Sequence, residues 1–160
     1  MEFIYLDSIQ VIRIHDHILH VSGGKSGVLN LELLESVLGH VQNDDYYPTF
    51  AEKLTHLFYS VNKAHCFADG NKRTSIGASA NFLHFNGFEN LTSKFIIEME
   101  NIAVYVADNK IDKDLLSEII TSFINEDDYS EHLKLKIIDQ LGSTENTGNI
   151  YEPQTSISPF

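Results

Sequence analysis

The feature that most limits the fold is a polar run of ten residues, His65-Cys66-Phe67-Ala68-Asp69-Gly70-Asn71-Lys72-Arg73-Thr74, between two stretches of helical apolar periodicity. Upstream, Ala51 to Ala64 carries Leu54, Leu57, Phe58 and Val61 at helical spacing. Downstream, from about Asn71 to Asn86, come Ile76, Ala80 and Leu83 with the small residues Gly77, Ala78 and Ser79, which let a helix sit deep inside a bundle. The polar run is therefore a turn between two core helices, in a chain whose remaining segments must also be helices packed around them.

Those segments are legible. A mixed but mostly helical period runs from Ser8 to His20, with Ile9, Ile12, Ile14 and Ile18/Leu19 as its apolar positions, and Gly23-Gly24-Lys25-Ser26-Gly27 breaks it. Asn30 suits the N-cap of a helix from Leu31 to about Val41. Asn43 to Phe50 reads as a loop, since Asn, Asp and Pro break helix there and its aromatics suit a contact surface. Asn86-Gly87 is a helix stop, and helices over Ser93 to about Val106 and Asp112 to Ile124 complete the core. After an acidic break at Asn125 to Asp128, Ser130 can cap one amphipathic helix to Leu141; from Gly142 the composition predicts a flexible tail. Strand signals are few, and the predicted fold class is all-α.

Charge narrows the partners. Against 23 Asp and Glu there are 11 Lys and Arg, giving a formal net charge of -12. Nucleic-acid affinity rests on neutralising phosphates with cations, so a general nucleic-acid binder is not expected. A local cationic pocket for one nucleotide is compatible with this balance. No run approaches the roughly 20 apolar residues that span a bilayer. No signal peptide is recognisable, and the single cysteine, Cys66, cannot form an internal disulfide. A soluble cytoplasmic protein is the expectation.

Within the polar run each residue type has a use. Gly70 permits a tight backbone and the close approach of a ligand. Free N–H groups at the helix start near Asn71 form an anion site, with Lys72 and Arg73 as adjacent cations. Asp69 offers a hard oxygen to Mg²⁺, which commonly takes one or two carboxylates and completes its shell with phosphates and water. His65 can take a proton near neutral pH and so activate a hydroxyl. Phe67 would anchor the loop in the core. Singly, each residue has an ordinary structural role; together they describe phosphoryl or nucleotidyl transfer.

The run also resembles the Fic/Doc signature, H-x-F-x-[D/E]-[G/A]-N-[G/K]-R, with every defining position of the Doc form filled. Leu31 to Gln42 and Thr74 to Gly87 are similar to Doc toxins as well, and the likeness covers roughly residues 5–124. The resemblance implies a helical bundle with a short flap loop, a catalytic domain over 1–124 and an extension over 125–160. It implies His65 as general base, Phe67 as the residue holding the loop, and Asp69 as Mg²⁺ ligand. Gly70 and Asn71 would line the phosphate cradle, and Lys72 and Arg73 would bind nucleotide phosphates. The 43–50 segment, with Asp45, Tyr46 and Tyr47, would be the flap that aligns a target peptide. ATP would be the nucleotide and an antitoxin the regulator. The known Doc target, a threonine of elongation factor Tu, would be a candidate substrate.

One comparison bears on the reaction. AMP-transferring Fic enzymes resemble G-N-G-R-x-x-R, whereas Lys72 replaces the second glycine here and Ile76 stands at the last arginine. Both departures occur in the Doc branch, where they accompany γ-phosphoryl transfer. Gly70 is the Fic form of its position. The alternatives are AMP transfer at the same site, or a catalytically silent helical module that binds a partner protein.

Three further patterns are expected to be incidental. His15-Asp16-His17 reads as surface polar residues, and Gly23 to Gly27 lacks phosphate-loop spacing and reads as a plain loop. Ser122 to Asp127 matches a self-inhibitory [S/T]-x-x-x-E-[G/N] helix in all but its last position.

Overall fold

The computed structural model describes residues 2–148, with side chains to residue 142, and among these residues every regular element is a helix. In chain order they are α1 (Ser8–Ser22), α2 (Leu31–Val41), α3 (Phe50–Lys63), α4 (Asn71–Phe85), α5 (Glu89–Ala107), α6 (Lys113–Asn125) and α7 (Glu131–Gly148). None is long and apolar enough to cross a membrane.

Local chemistry sets the starts. Asp7 with Gln10, and Thr49 with Glu52, form reciprocal capping boxes before α1 and α3. Asn30 and Asp112 each accept the backbone N–H three residues on. The Leu133 N–H donates to Ser130 Oγ at 3.2 Å, so Ser130 caps α7 as its sequence position predicts.

The core is built on α3 and α4. Helix α3 packs against α2, α4, α5 and α6, while α4 packs against α1, α3 and α5. Leu54, Leu57, Phe58 and Val61 of α3 and Ala78, Phe82 and Leu83 of α4 are buried. Each large apolar side chain so covered contributes about 1.5–3 kcal/mol. Gly77 explains the closeness of α1 to α4. A Cβ at that position would lie 2.9 Å from Ile14 Cγ2 and 3.1 Å from Ile18 Cδ1.

Three boundaries or faces differ from the sequence expectation. Helix α5 starts at Glu89 rather than Ser93, because the chain reverses in the three residues after α4. The Phe88 N–H bonds to the Leu83 carbonyl at 3.0 Å, and the Phe88 ring stacks on Phe50 at 4.8 Å. Helix α7 runs past Gly142 to Gly148, where a flexible tail was expected. One interior glycine costs a helix only about 1 kcal/mol relative to alanine. The rest of the expected tail, 149–160, lies outside the described residues. In α1 the buried face holds Val11 and His15, while Ile9 is 60% exposed. His15 is thus a core residue and not a surface one.

The loop between α2 and α3 is fastened by a buried cation. Lys53 Nζ is covered completely, donates to the Val41 carbonyl at 3.1 Å and pairs with Asp44 at 2.7 Å. Burial pulls its pKa down, but the hydrogen bonds and charges of Asp44 and Tyr5 outweigh that and raise it. Beside it, Tyr47 stacks on His56 at 4.3 Å, and Lys113 Nζ donates to His56 Nδ1 at 3.0 Å. Burial, and then the charges of Lys113 and His40, lower the His56 pKa to about 4.

That shift makes stability depend on pH. The folded pKa lies below the ordinary 6.5, so the fold keeps the neutral ring while the unfolded chain binds a proton. The contribution is complete above about pH 6.5 and declines as pH falls towards 4, by about 2 kcal/mol. Urea denaturation between pH 7 and 4 should show a shallower loss of stability for His56→Gln than for wild type. Parallel curves would contradict the assignment.

Candidate functional site

Helix α3 ends at Lys63, and the next residues leave the helix sharply. His65 has a φ of 51°, a left-handed backbone uncommon outside glycine that histidine adopts more readily than most residues. Its imidazole is exposed, with no hydrogen bond among the described residues. Lys63 pins the end of α3 to the end of α5: its Nζ donates to the Asn109 side chain and to the Val106 carbonyl at 3.3 Å. That places a cation where helix carbonyls converge.

Cys66 and Phe67 then turn inward and are buried. Burial pushes the Cys66 thiol pKa up, so this cysteine is an inert packing residue. Asn71 closes the turn. Its Nδ2 donates to the Phe67 carbonyl at 2.9 Å, and its Oδ1 accepts the Phe67 N–H at 3.1 Å. The side chain expected in the phosphate cradle is therefore spent on shaping the loop.

Gly70 occupies the N-cap of α4 in the left-handed region, at φ 80° and ψ 16°, and supplies no side-chain cap. The first intrahelical bond is from the Thr74 N–H to the Gly70 carbonyl. The N–H groups of Asn71, Lys72 and Arg73 are thus left without backbone acceptors. They border an open cleft of about 180 Å³ lined by His65, Ala68 to Arg73, Asn62 and Ala107. The Lys72 ammonium is exposed and makes no hydrogen bond or ion pair among the described residues. Beneath the cleft, Asn62 donates to the Ala103 carbonyl at 2.9 Å, while its buried Oδ1 has no partner among the described residues.

Asp69 faces the same cleft. The Lys25 N–H donates to its Oδ2 at 3.0 Å, and the Gly70 N–H to its Oδ1 at 2.7 Å. These bonds, followed by the charges of Arg73 and Lys72, hold its pKa below the usual carboxylate range. It stands ready as an anionic oxygen ligand at any physiological pH. Arg73 is less free than expected. Its Nη1 donates to Ser22 Oγ at 2.5 Å and to the Gly23 carbonyl at 2.7 Å, and its Nη2 lies 3.8 Å from Asp69 Oδ1.

The structure brings His65, Phe67, Asp69, Gly70, Asn71, Lys72 and Arg73 together, but not Asp45, Tyr46 and Tyr47. Those three precede α3 whereas His65 follows it, and the 14 residues of α3 separate them by about 20 Å at 1.5 Å per residue. The segment that lies along the motif is 24–30. Val28 forms an antiparallel bridge with Phe67. The Ala68 N–H bonds to the Gly27 carbonyl at 2.9 Å, and the Leu29 N–H to the Cys66 carbonyl at 2.7 Å.

Sequence reasoning reads the start of this segment, Gly23 to Gly27, as a plain loop and assigns it no part in the site. The available signal was its glycines. Gly24 sits at φ 131°, and a Cβ there would lie 2.7 Å from Asp69 Oδ2 and 2.9 Å from Arg73 Nη2. Glu126 of the self-inhibitory pattern is not in the cleft. It groups with Ser122, Lys94, Glu98 and Tyr129 at the far end of α6.

The model of the Fic/DOC family matches residues 5–83, which contain α1 to α3, the turn and most of α4. The chain belongs to the Fic/DOC family. It is 30% identical over 105 residues to a protein named Toxin Doc from Mycolicibacterium smegmatis, covering 63% of this chain and 81% of that one.

The Asn71 geometry yields a stability test. Asn71→Ala removes both bonds to Phe67 and should lower stability by about 1–3 kcal/mol. Asn71→Asp, which keeps the acceptor but loses the donor, should recover only part. Chemical denaturation measures both, and an Asn71→Ala variant as stable as wild type would rule out the bracing role.

Proposed function

We propose that the chain is a Doc-like toxin, held in check by an antitoxin protein in the cytoplasm, that transfers the γ-phosphoryl group of ATP to a Ser or Thr hydroxyl of a target protein. Residues 1–124 form the catalytic unit and 125–160 an extension. The observation that carries this reading is the cleft itself. A lysine unpartnered among the described residues and three open N–H groups stand over one anionic carboxylate, with an exposed imidazole at the rim.

The residues fit a nucleotide with Mg²⁺. One carboxylate is what Mg²⁺ commonly takes from protein beside phosphate oxygens. Asp69 would hold the ion, which supplies charge neutralisation at the phosphates. Lys72 and the first turn of α4 would bear the remaining negative charge. Arg73 would anchor the Gly23 carbonyl and reach the phosphates with Nη2. His65 takes the proton of the target hydroxyl as its oxygen bonds to the γ-phosphorus. The bond from that phosphorus to the bridging oxygen breaks, and ADP leaves.

The choice of γ transfer draws support from position 76. Ile76 is half-buried and packs against the core, so no cation stands one turn beyond Arg73 to hold a pyrophosphate leaving group. For the target, we assign to segment 24–30 the flap role that the family resemblance gives to 43–50. Only one edge of its bridge is used by the motif; among the described residues the N–H and C=O of Val28 have no backbone partner. An extended target segment can pair there, adding a strand to the bridge. A translation factor such as elongation factor Tu is the candidate target by family resemblance.

Incubation with target and ATP labelled at the γ or the α position tests the reaction. Label should pass from the γ position only. Label from the α position would establish nucleotidyl transfer instead, and none from either would favour the silent binding module. Lys72→Ala should lower transfer tenfold or more while stability stays within about 0.5 kcal/mol of wild type, since the side chain has no partner to lose. Unchanged transfer in that variant would remove Lys72 from the phosphate site.

A further inference from the structure

His15 is the one fully buried histidine among the described residues, and the transfer chemistry does not use it. It projects from α1 beneath the motif turn. Its ring stacks on Phe67 with centroids 4.0 Å apart and planes inclined by 11°. Its Nε2 lies 2.7 Å from the Asp69 carbonyl oxygen. A carbonyl can only accept, so Nε2 carries the hydrogen and the tautomer is fixed on this side. Nδ1 faces the exposed Asp16 carboxylate at 3.4 Å.

The consequence runs through one peptide plane. In a trans peptide the C=O and the following N–H point in opposite directions. With the Asp69 carbonyl held towards α1, the Gly70 N–H must point away from it. That N–H donates to Asp69 Oδ1 at 2.7 Å. The carboxylate is therefore oriented by a peptide whose own orientation comes from His15. A Cβ on Gly70 would lie 3.5 Å from His15 Cδ2, so the ring also closes the space beneath the turn.

We propose that His15 is a positioning residue: by holding the Asp69–Gly70 peptide plane, its Nε2–H aims the Asp69 carboxylate into the cleft. This rests on the assignment of Asp69 to the metal. Outer partners of this kind, which fix a ligand without touching the ion, are typically worth 10–100-fold in metal affinity or activity.

Two substitutions separate the hydrogen bond from the stack. His15→Gln keeps a donor at similar reach and loses the ring. His15→Phe keeps a ring and loses the donor; His15→Leu serves if His15→Phe does not fold. Three quantities are measured on the full chain: melting temperature, amide exchange at Gly70, and Mn²⁺ affinity by electron paramagnetic resonance with a non-hydrolysable ATP analogue. His15→Gln should bind Mn²⁺ within about threefold of wild type, whereas His15→Phe should weaken it about tenfold or more and speed exchange at Gly70.

The reverse pattern, with Phe rescuing and Gln failing, would reduce His15 to packing and overturn the proposal. Wild-type values in both variants would overturn it equally. If the wild-type protein binds no Mn²⁺ with the analogue, the metal assignment of Asp69 fails by itself. Exchange at Gly70 then still decides the orienting role: faster in Phe and not in Gln supports it, and equal rates refute it.

Discussion

The molecule depends on satisfying a polar turn where the fold is dry. Between α3 and α4 the chain must leave one buried helix and enter another, and its backbone groups cannot be left without partners. Asn71 supplies a donor and an acceptor to Phe67. Segment 24–30 supplies backbone bonds to Cys66, Ala68 and Asp69. His15 supplies a donor to the Asp69 carbonyl. With the inner face of the turn satisfied in this way, its outer face can leave three N–H groups and one ammonium open. The cleft side of the turn is open while the backbone on its inner side is hydrogen-bonded.

This division explains why neighbouring motif residues do different work. Phe67 and Asn71 face the core and shape the loop, while His65, Asp69 and Lys72 face the cleft. Arg73 does both, reaching back to Ser22 and Gly23 while its Nη2 stays near Asp69. The glycines serve the same end. Gly70 gives the left-handed entry into α4, and Gly24 lets the first loop come within van der Waals distance of Asp69.

Much of this was legible in the sequence. Helical periods, the Asn30 and Ser130 caps and the Asn86-Gly87 stop located the helices, and the motif located the turn. What stayed hidden were relations that no local pattern encodes. Tyr46 and Tyr47 looked like a contact surface, yet Tyr47 covers His56 and Lys113 across the α2–α3 junction, a helix length from His65. His15 lies four residues after Val11 and so shares its buried face, but Ile9, Ile12 and Ile14 suggested a different face. The Gly23 to Gly27 segment looked like plain loop because its function is to approach another backbone, which leaves no side-chain signature. Position 15 and the first loop acquire meaning only once α1 is packed on α4.

The central claim is that the cleft presents the terminal phosphate of a nucleotide to His65. The most direct measurement is a crystal structure of the His65→Ala variant with ATP and Mg²⁺. The γ-phosphorus should lie in the cleft nearest residue 65, with the metal on Asp69 and Lys72 against the phosphates. An α-phosphorus in that place, or a nucleotide bound elsewhere, would contradict the phosphoryl-transfer reading.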